Sequence, residues 1–245
     1  MVCPDLAHMS TATAVGLAAA LALAACKFEE PTRSDFQRDL PFPDGGPVLG
    51  SPGVWRATEV FIDKPDGLVG FQNVISSAVD SDHLNLLVVE TAGDLDADRW
   101  AVSIGSAERV DAGTFAFDPT YPPAATTATV DGARRFTTDA PVAFVLRVSF
   151  PLEIPVPLSG ARVVATASAN GLRLSDGLLT GVIEGERAAA TLIDLQGDGD
   201  PTNDQPLANF LGDPDVDTDG DGTVDDFSAQ FAFSSEAVLL QEATP

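Results

Sequence analysis

The segment PVAFVLRVSFPLEIPVPL, Pro141 to Leu158, decides the fold class. Val142, Phe144, Leu146, Val148, Phe150, Leu152, Ile154, Val156 and Leu158 all fall on even positions. Successive side chains of a strand point to opposite faces, so a period of two marks extended chain with one buried face; a helix would repeat at three and four. Pro151, Pro155 and Pro157 lie on the opposite parity. Proline has no N–H to give to a ladder, so the second half of the segment is expected at an edge, a bulge or an extended crossing.

Working outward, the same alternation marks strands over Val54 to Ile62, Leu84 to Glu90, Trp100 to Ser106, Thr114 to Phe117, Arg162 to Ser168 and Phe227 to Leu239. Gly, Asp and Pro clusters separate them. Long amphipathic crossover segments are scarce, which favours antiparallel over parallel pairing. Two helical pieces are expected, Gly185 to Leu195 and Gln205 to Leu211, both beside acidic loops. The expected fold is mainly β: an antiparallel β-sandwich or barrel-like single domain over residues 54 to 245, with one or two short helices near the C-terminal acidic loops. No internal repeat of propeller or solenoid length is present.

The chain has 245 residues, 44% hydrophobic, enough for a sizeable core. Thirteen Lys and Arg stand against 37 Asp and Glu, a formal net charge of -24. That charge opposes nucleic-acid phosphates and anionic headgroups at long range and leaves cations as the natural partners. The acidic residues recur in short Gly-containing clusters, which fits local ion-binding loops better than a solvating tail.

At the N-terminus, AVGLAAALALAA (Ala14 to Ala25) is apolar for twelve residues, too short to span a bilayer and the length of a signal-peptide core. The end of this stretch with the next residue, Leu23-Ala24-Ala25-Cys26, resembles the lipobox of bacterial lipoproteins. The resemblance implies a signal peptide over residues 1 to 25 and a lipidated Cys26. It implies an anchor in the membrane through acyl chains, with Lys27 tilting the destination towards the outer membrane of the cell envelope. The first ten residues carry no Lys or Arg, a departure from the usual signal n-region. With Cys3 in the leader and Cys26 acylated, no thiol remains for a disulfide, zinc or catalysis. Residues 26 to 53, rich in Pro, Gly and charge, read as a tether.

DVDTDGDGTVDDF, residues 215 to 227, gathers six Asp around two glycines. Calcium takes six to eight oxygens, and alternating Asp with a tight Gly turn wraps carboxylates around one ion. The run from Asp217 resembles the DxDxDG calcium loops of EF-hands, dockerins and thrombospondin type 3-like repeats. In that register Asp217, Asp219 and Asp221 supply side chains, Gly222 makes the turn and Thr223 offers its carbonyl. Val224 points into the core, and Asp225 ligates directly or through water. Asp215 and Asp226 flank the run as further oxygen donors. At position twelve an EF-hand has a bidentate Glu and this chain has Ser228, so Asp226 stands in to close the shell. The alternating residues after the loop imply helix-loop-strand rather than helix-loop-helix, and a modest affinity of about 10⁻⁴ to 10⁻³ M. Carboxylates roughly 6 Å apart repel by about 0.7 to 3 kcal/mol per pair, which a bound cation would relieve.

A second loop places Asp194, Gln196 and Asp198 at positions one, three and five, with Asp200 and Asp204 beyond. Pro201 stands where an aliphatic anchor belongs, so an ion site and a plain Gly and Asp-rich loop both remain open readings. Asp94, Asp96 and Asp98 have Arg99 at the glycine position and read as a hairpin loop. The chain has no GxSxG elbow, HExxH pair or phosphate loop. His83 reads as a surface residue. Trp55, Trp100 and Tyr121 are the candidates for a sugar-stacking platform, with Trp100 sharing parity with Val102 and Ile104 and so expected in the core. Two function classes follow. One is a non-enzymatic lipoprotein with structural calcium; the other is a binding module for a glycan or protein ligand.

Overall fold

A computed structural model describes residues 50–92, 94–149, 153–196 and 200–241. The signal segment, Cys26, most of the tether, Phe150 to Leu152 and Asp198 lie outside the described residues. The strands, in chain order, begin with β1 (Val54–Lys64), β2 (Leu86–Glu90), β3 (Arg99–Asp111) and β4 (Thr114–Phe117). They continue with β5 (Ala124–Val130), β6 (Arg135–Thr138), β7 (Val142–Val148), β8 (Ile154–Ala167) and β9 (Arg173–Ile183). The last are β10 (Leu192–Ile193), β11 (Gln205–Pro206), β12 (Phe227–Ala237) and β13 (Leu239–Leu240). The helices are α1 (Asp66–Val69), α2 (Gln72–Asp80), α3 (Gly185–Ala190) and α4 (Ala208–Leu211).

The pairings close on themselves. β1 pairs β2, and the ladder continues through β3, β5, β6, β8, β9 and β12 before β12 returns to β1, every pair antiparallel. The mainly β, antiparallel expectation is therefore met in its barrel-like form, with the strands following one another around the ring in chain order. Closure gives each of these strands a partner on both sides over part of its length.

The interior is apolar. Trp55 and Trp100 stack with ring centroids 5.8 Å apart, and Phe136 lies 5.3 Å from Trp100. Trp55, Trp100 and Phe136 are 0%, 1% and 0% exposed, so they form the centre of the core rather than a surface. Val102, Ile104, Val163, Leu179 and, from β12, Phe227, Ala229, Phe231 and Phe233 complete the same cluster. Transmembrane barrels turn polar side chains inward; this ring turns apolar ones inward. Among the described residues no helix is long and apolar enough to cross a membrane.

All five residues of β2 are buried, because its two faces are covered by different layers. Leu86 and Val88 point into the barrel, whereas Leu87 and Val89 join Val54, Ala107, Phe115 and Val238 in a second cluster outside it, under β4 and β13. A strand covered on both sides loses the alternation that marks a half-buried one.

The segment Pro141 to Leu158 turns back on itself. β7 and the first half of β8 form an antiparallel pair with Val148 opposite Ile154 and Leu146 opposite Val156, so its even-numbered apolar residues face one another across a hairpin. Parity survives the reversal because an odd number of residues separates the two strands. β9 joins β8 only from Ser159 onward. Residues 154 to 158 therefore have a strand on one side alone, which is where Pro155 and Pro157 are tolerated.

Side chains seal the ring where backbone pairing stops. β2 accompanies β1 only over Val54 to Arg56. Beyond it the Gln72 amide of α2 donates to the Val60 carbonyl at 2.8 Å and accepts from the Ile62 N–H at 2.9 Å. Between β3 and β7, the Ser106 hydroxyl donates to the Val145 carbonyl at 2.9 Å and accepts from the Arg147 N–H at 2.7 Å. Thr138 accepts from the Val163 N–H in the same way. Each satisfies groups that would be costly to bury unpaired.

Both helices expected near the acidic loops are present but shorter. The one from Gly185 ends at Ala190, and Leu192 and Ile193 pair with Pro206 and Gln205. The other spans Ala208–Leu211 only. A two-residue ribbon thus takes the chain on either side of the loop 194–204.

Candidate metal centre

The loop 212–226 connects α4 to β12, the helix-loop-strand order expected from the sequence. Three of its carboxylates converge: Asp217, Asp219 and Asp221 each offer an oxygen within 4.8 Å of the other two. The backbone bends around them. The N–H groups of Gly220 and Gly222 donate to the two carboxylate oxygens of Asp217 at 2.7 and 3.0 Å. Asp219 accepts from the Asp221 N–H and Asp221 from the Thr223 N–H. Gly220 and Gly222 hold φ of 75° and 91°, the left-handed region that glycine enters without steric penalty. The three carboxylates are largely solvent-facing, and together they present a concentrated negative charge to a hard cation.

Asp225 and Asp226 are divided in role. Asp225 is exposed, and its carboxyl is pushed up by desolvation and then by the negative charges of Asp226, Asp221, Asp219 and Asp217. Asp226 is buried among a set of donors. Its carboxylate accepts from the Gly185 N–H at 2.8 Å, from the Thr218 N–H at 3.3 Å and from the Thr218 hydroxyl. Hydrogen bonds from Thr218 and Gly185 hold it below the usual carboxylate range. Its backbone pairs with Val216 in an antiparallel bridge. Asp226 thus fastens the loop to the junction between β9 and α3.

Asp215 works similarly. It accepts from the Ser228 N–H at 2.7 Å and lies 3.6 Å from the Lys64 ammonium. Desolvation raises its carboxyl, but the hydrogen bonds from Ser228 and the charge of Lys64 outweigh that and leave it lowered. Of the predicted ligands, then, Asp217, Asp219 and Asp221 come together, Thr223 and Asp225 flank them, and Asp215 and Asp226 act as fasteners. The residues that sequence reasoning missed are Thr218 and Gly185. A Cβ on Gly185 would lie 2.0 Å from the Asp225 carbonyl oxygen, so only glycine fits there. Its place just after an apolar strand was the available signal.

Val224 corrects the EF-hand register. That register puts it in the core, and it is 56% exposed. The loop is instead anchored by the polar Asp226 fastening, and the following Phe227 enters the barrel as the first residue of β12.

The second acidic loop is the tip of the β10–β11 ribbon. Asp194 accepts from the Gln196 N–H, and Asp200 accepts from the N–H and hydroxyl of Thr202, which lower its carboxyl. These are local turn contacts, each within two residues. Gln196 and Asp204 are described, but no convergence of this loop's carboxylates is found among the described residues. Asp94, Asp96 and Asp98 form the β2–β3 connection, as expected, with Asp96 paired to Arg134 at 2.7 Å. Burial of Trp55 and Trp100 leaves Tyr121 alone of the three residues considered for a stacking platform. No protein-family model, curated protein or solved structure matches the chain.

Proposed function

We propose that the chain is a non-enzymatic lipoprotein of the cell envelope in which calcium, held at Asp217, Asp219 and Asp221, stiffens the loop that leads into the last strand of the barrel. The observation that carries the calcium reading is the convergence of those three carboxylates within 4.8 Å, on a backbone bent by Gly220 and Gly222. All the donors are oxygens, the set a hard cation selects. The role is structural because Asp226 ties the same loop to Gly185, so order in the loop passes to the β9–β12 pair. The envelope location rests on Leu23-Ala24-Ala25-Cys26 and the apolar stretch before it.

Calorimetric calcium titration of the parent chain beside Asp217→Ala and Asp219→Ala tests the site. A parent heat that both substitutions abolish is expected; equal heats in all three would sink it. Labelling with a palmitate analogue tests the anchor, and label retained in Cys26→Ser would overturn it.

A further inference from the structure

A cleft of about 350 Å³ opens on the barrel wall between the end of α2 and strands β3 and β7. Its lining is charged and fixed in place. Asp82 is gripped by two guanidinium groups, Arg56 at 2.8 Å and Arg109 at 2.6 Å. Arg56 also donates to Asn85 at 2.6 Å and lies over the Phe115 ring at 5.1 Å. Asn85, buried at the base, donates to the carbonyls of Asp82 and Ala107. Across the cleft Arg147 pairs with Glu108 at 2.7 Å and with the buried Asp118 at 2.9 Å. It reaches Glu153 at 3.3 Å, beside the Tyr121 hydroxyl.

Three guanidinium groups therefore face three carboxylates, with Glu153 a fourth at the outer end of Arg147. In a chain of net charge -24 this is an unusual concentration of arginine. A free anion entering the cleft would meet Asp82 and Glu108, and a free cation would meet Arg109 and Arg147. A neutral ligand rich in hydroxyls escapes both penalties, because each hydroxyl donates and accepts. Planar amide, carboxylate and guanidinium groups suit adjacent hydroxyls, and here their geometry is set in advance by the ion pairs. Among the described residues, the buried Arg147 Nε has no hydrogen-bond partner. Glu108 and Arg109 are about half exposed at the mouth, so their remaining polar atoms are accessible.

We propose that this cleft binds a neutral saccharide, with Glu108 and Arg109 contacting its hydroxyls and Asp82, Asn85 and Arg147 holding them in position. The site is separate from the acidic loop and does not depend on calcium there. Among its lining residues there is no Phe, Tyr or Trp ring to stack on, so a Kd on the order of 1 mM is expected.

The full chain, titrated with maltotriose, chitotriose and mannotriose and followed by amide NMR, provides the test. Glucuronate and glucosamine serve as charged counterparts. The expected result is a saturable shift of the Ser81–Asn85 and Glu108–Arg109 amides with at least one neutral trisaccharide. Glu108→Gln with Arg109→Gln should weaken it about tenfold or more, the loss of hydrogen bonds to charged groups. Both residues are exposed, and their partners keep other contacts, so the double variant should fold; an unchanged melting temperature checks this. Asp217→Asn should bind sugar as the parent does, which separates this site from the calcium reading. The proposal is overturned if all three neutral sugars leave these amides unmoved at about 20 mM. Tighter binding of a charged sugar, or unchanged binding by the folded double variant, would overturn it equally.

Discussion

The carboxylate of Asp226 accepts a hydrogen bond from the Gly185 N–H at 2.8 Å across 41 residues of chain, joining the start of α3 to the entry of β12. Removing it strands the Gly185 and Thr218 donors. Asp226→Ala is therefore expected to destabilise the fold by about 1 to 3 kcal/mol with or without calcium. Asp217→Ala, on the exposed side of the same loop, should leave calcium-free stability nearly unchanged and remove the gain on adding calcium. Urea unfolding of both variants with calcium or a chelator measures the difference. An Asp226→Ala loss that vanishes in chelator would contradict the division of roles.

Trp100 stacks on Trp55 at the centre of the barrel. Trp100→Ala should lower stability by about 3 to 5 kcal/mol, the range for truncating a large buried aromatic. Near-ultraviolet circular dichroism should lose the signal of the ring pair. In the parent chain, trisaccharides should leave tryptophan emission unchanged, because neither indole is exposed.

Gln72 stands in for a missing strand beside Val60 and Ile62. In Gln72→Leu the side chain keeps its bulk and both backbone groups lose their partner. A cost of about 1 to 3 kcal/mol is expected, with faster hydrogen exchange at the Ile62 amide. Exchange as slow as in the parent would mean that the side chain is not sealing β1.

Asp139 holds its carboxyl down to about 2 through hydrogen bonds from Thr127 and Thr129, each 2.6 Å, and through Arg99 at 2.5 Å. A lowered carboxyl adds stability above its unfolded value of 3.8 and loses it as pH falls towards the folded value. The Asp139 contribution should thus be complete at neutral pH and disappear between about pH 4 and pH 2. Asp139→Asn should narrow the gap between neutral and acid melting temperatures. A gap equal to that of the parent would refute it.

Period-two runs such as Phe227 to Ala237 were legible because one face of each is buried and the other is not. Ring closure was not, because it depends on which distant strands meet, as where Trp100 faces Ala128 and Trp55 faces Ala237. β5, AATTATV, was missed for its small polar residues; its Thr127 and Thr129 point outward to Asp139. α2, QNVISSAVD, was missed because its β-branched residues weaken helix propensity, whereas packing against β1 supports it. The Asp217, Asp219 and Asp221 cluster was legible from spacing alone. The fastening role of Asp226 was not, since its partners Gly185 and Thr218 are brought there by tertiary structure.

The first and last strands of the ring are partners, with Trp55 opposite Ala237. Almost the whole domain must be synthesised before that ladder can form, and joining ends so far apart in sequence is entropically slow. Until β12 arrives, β1 and β9 present their pairing edges to other chains. That interval is when a holding chaperone would matter most, and it places the greatest aggregation risk before the final strand docks.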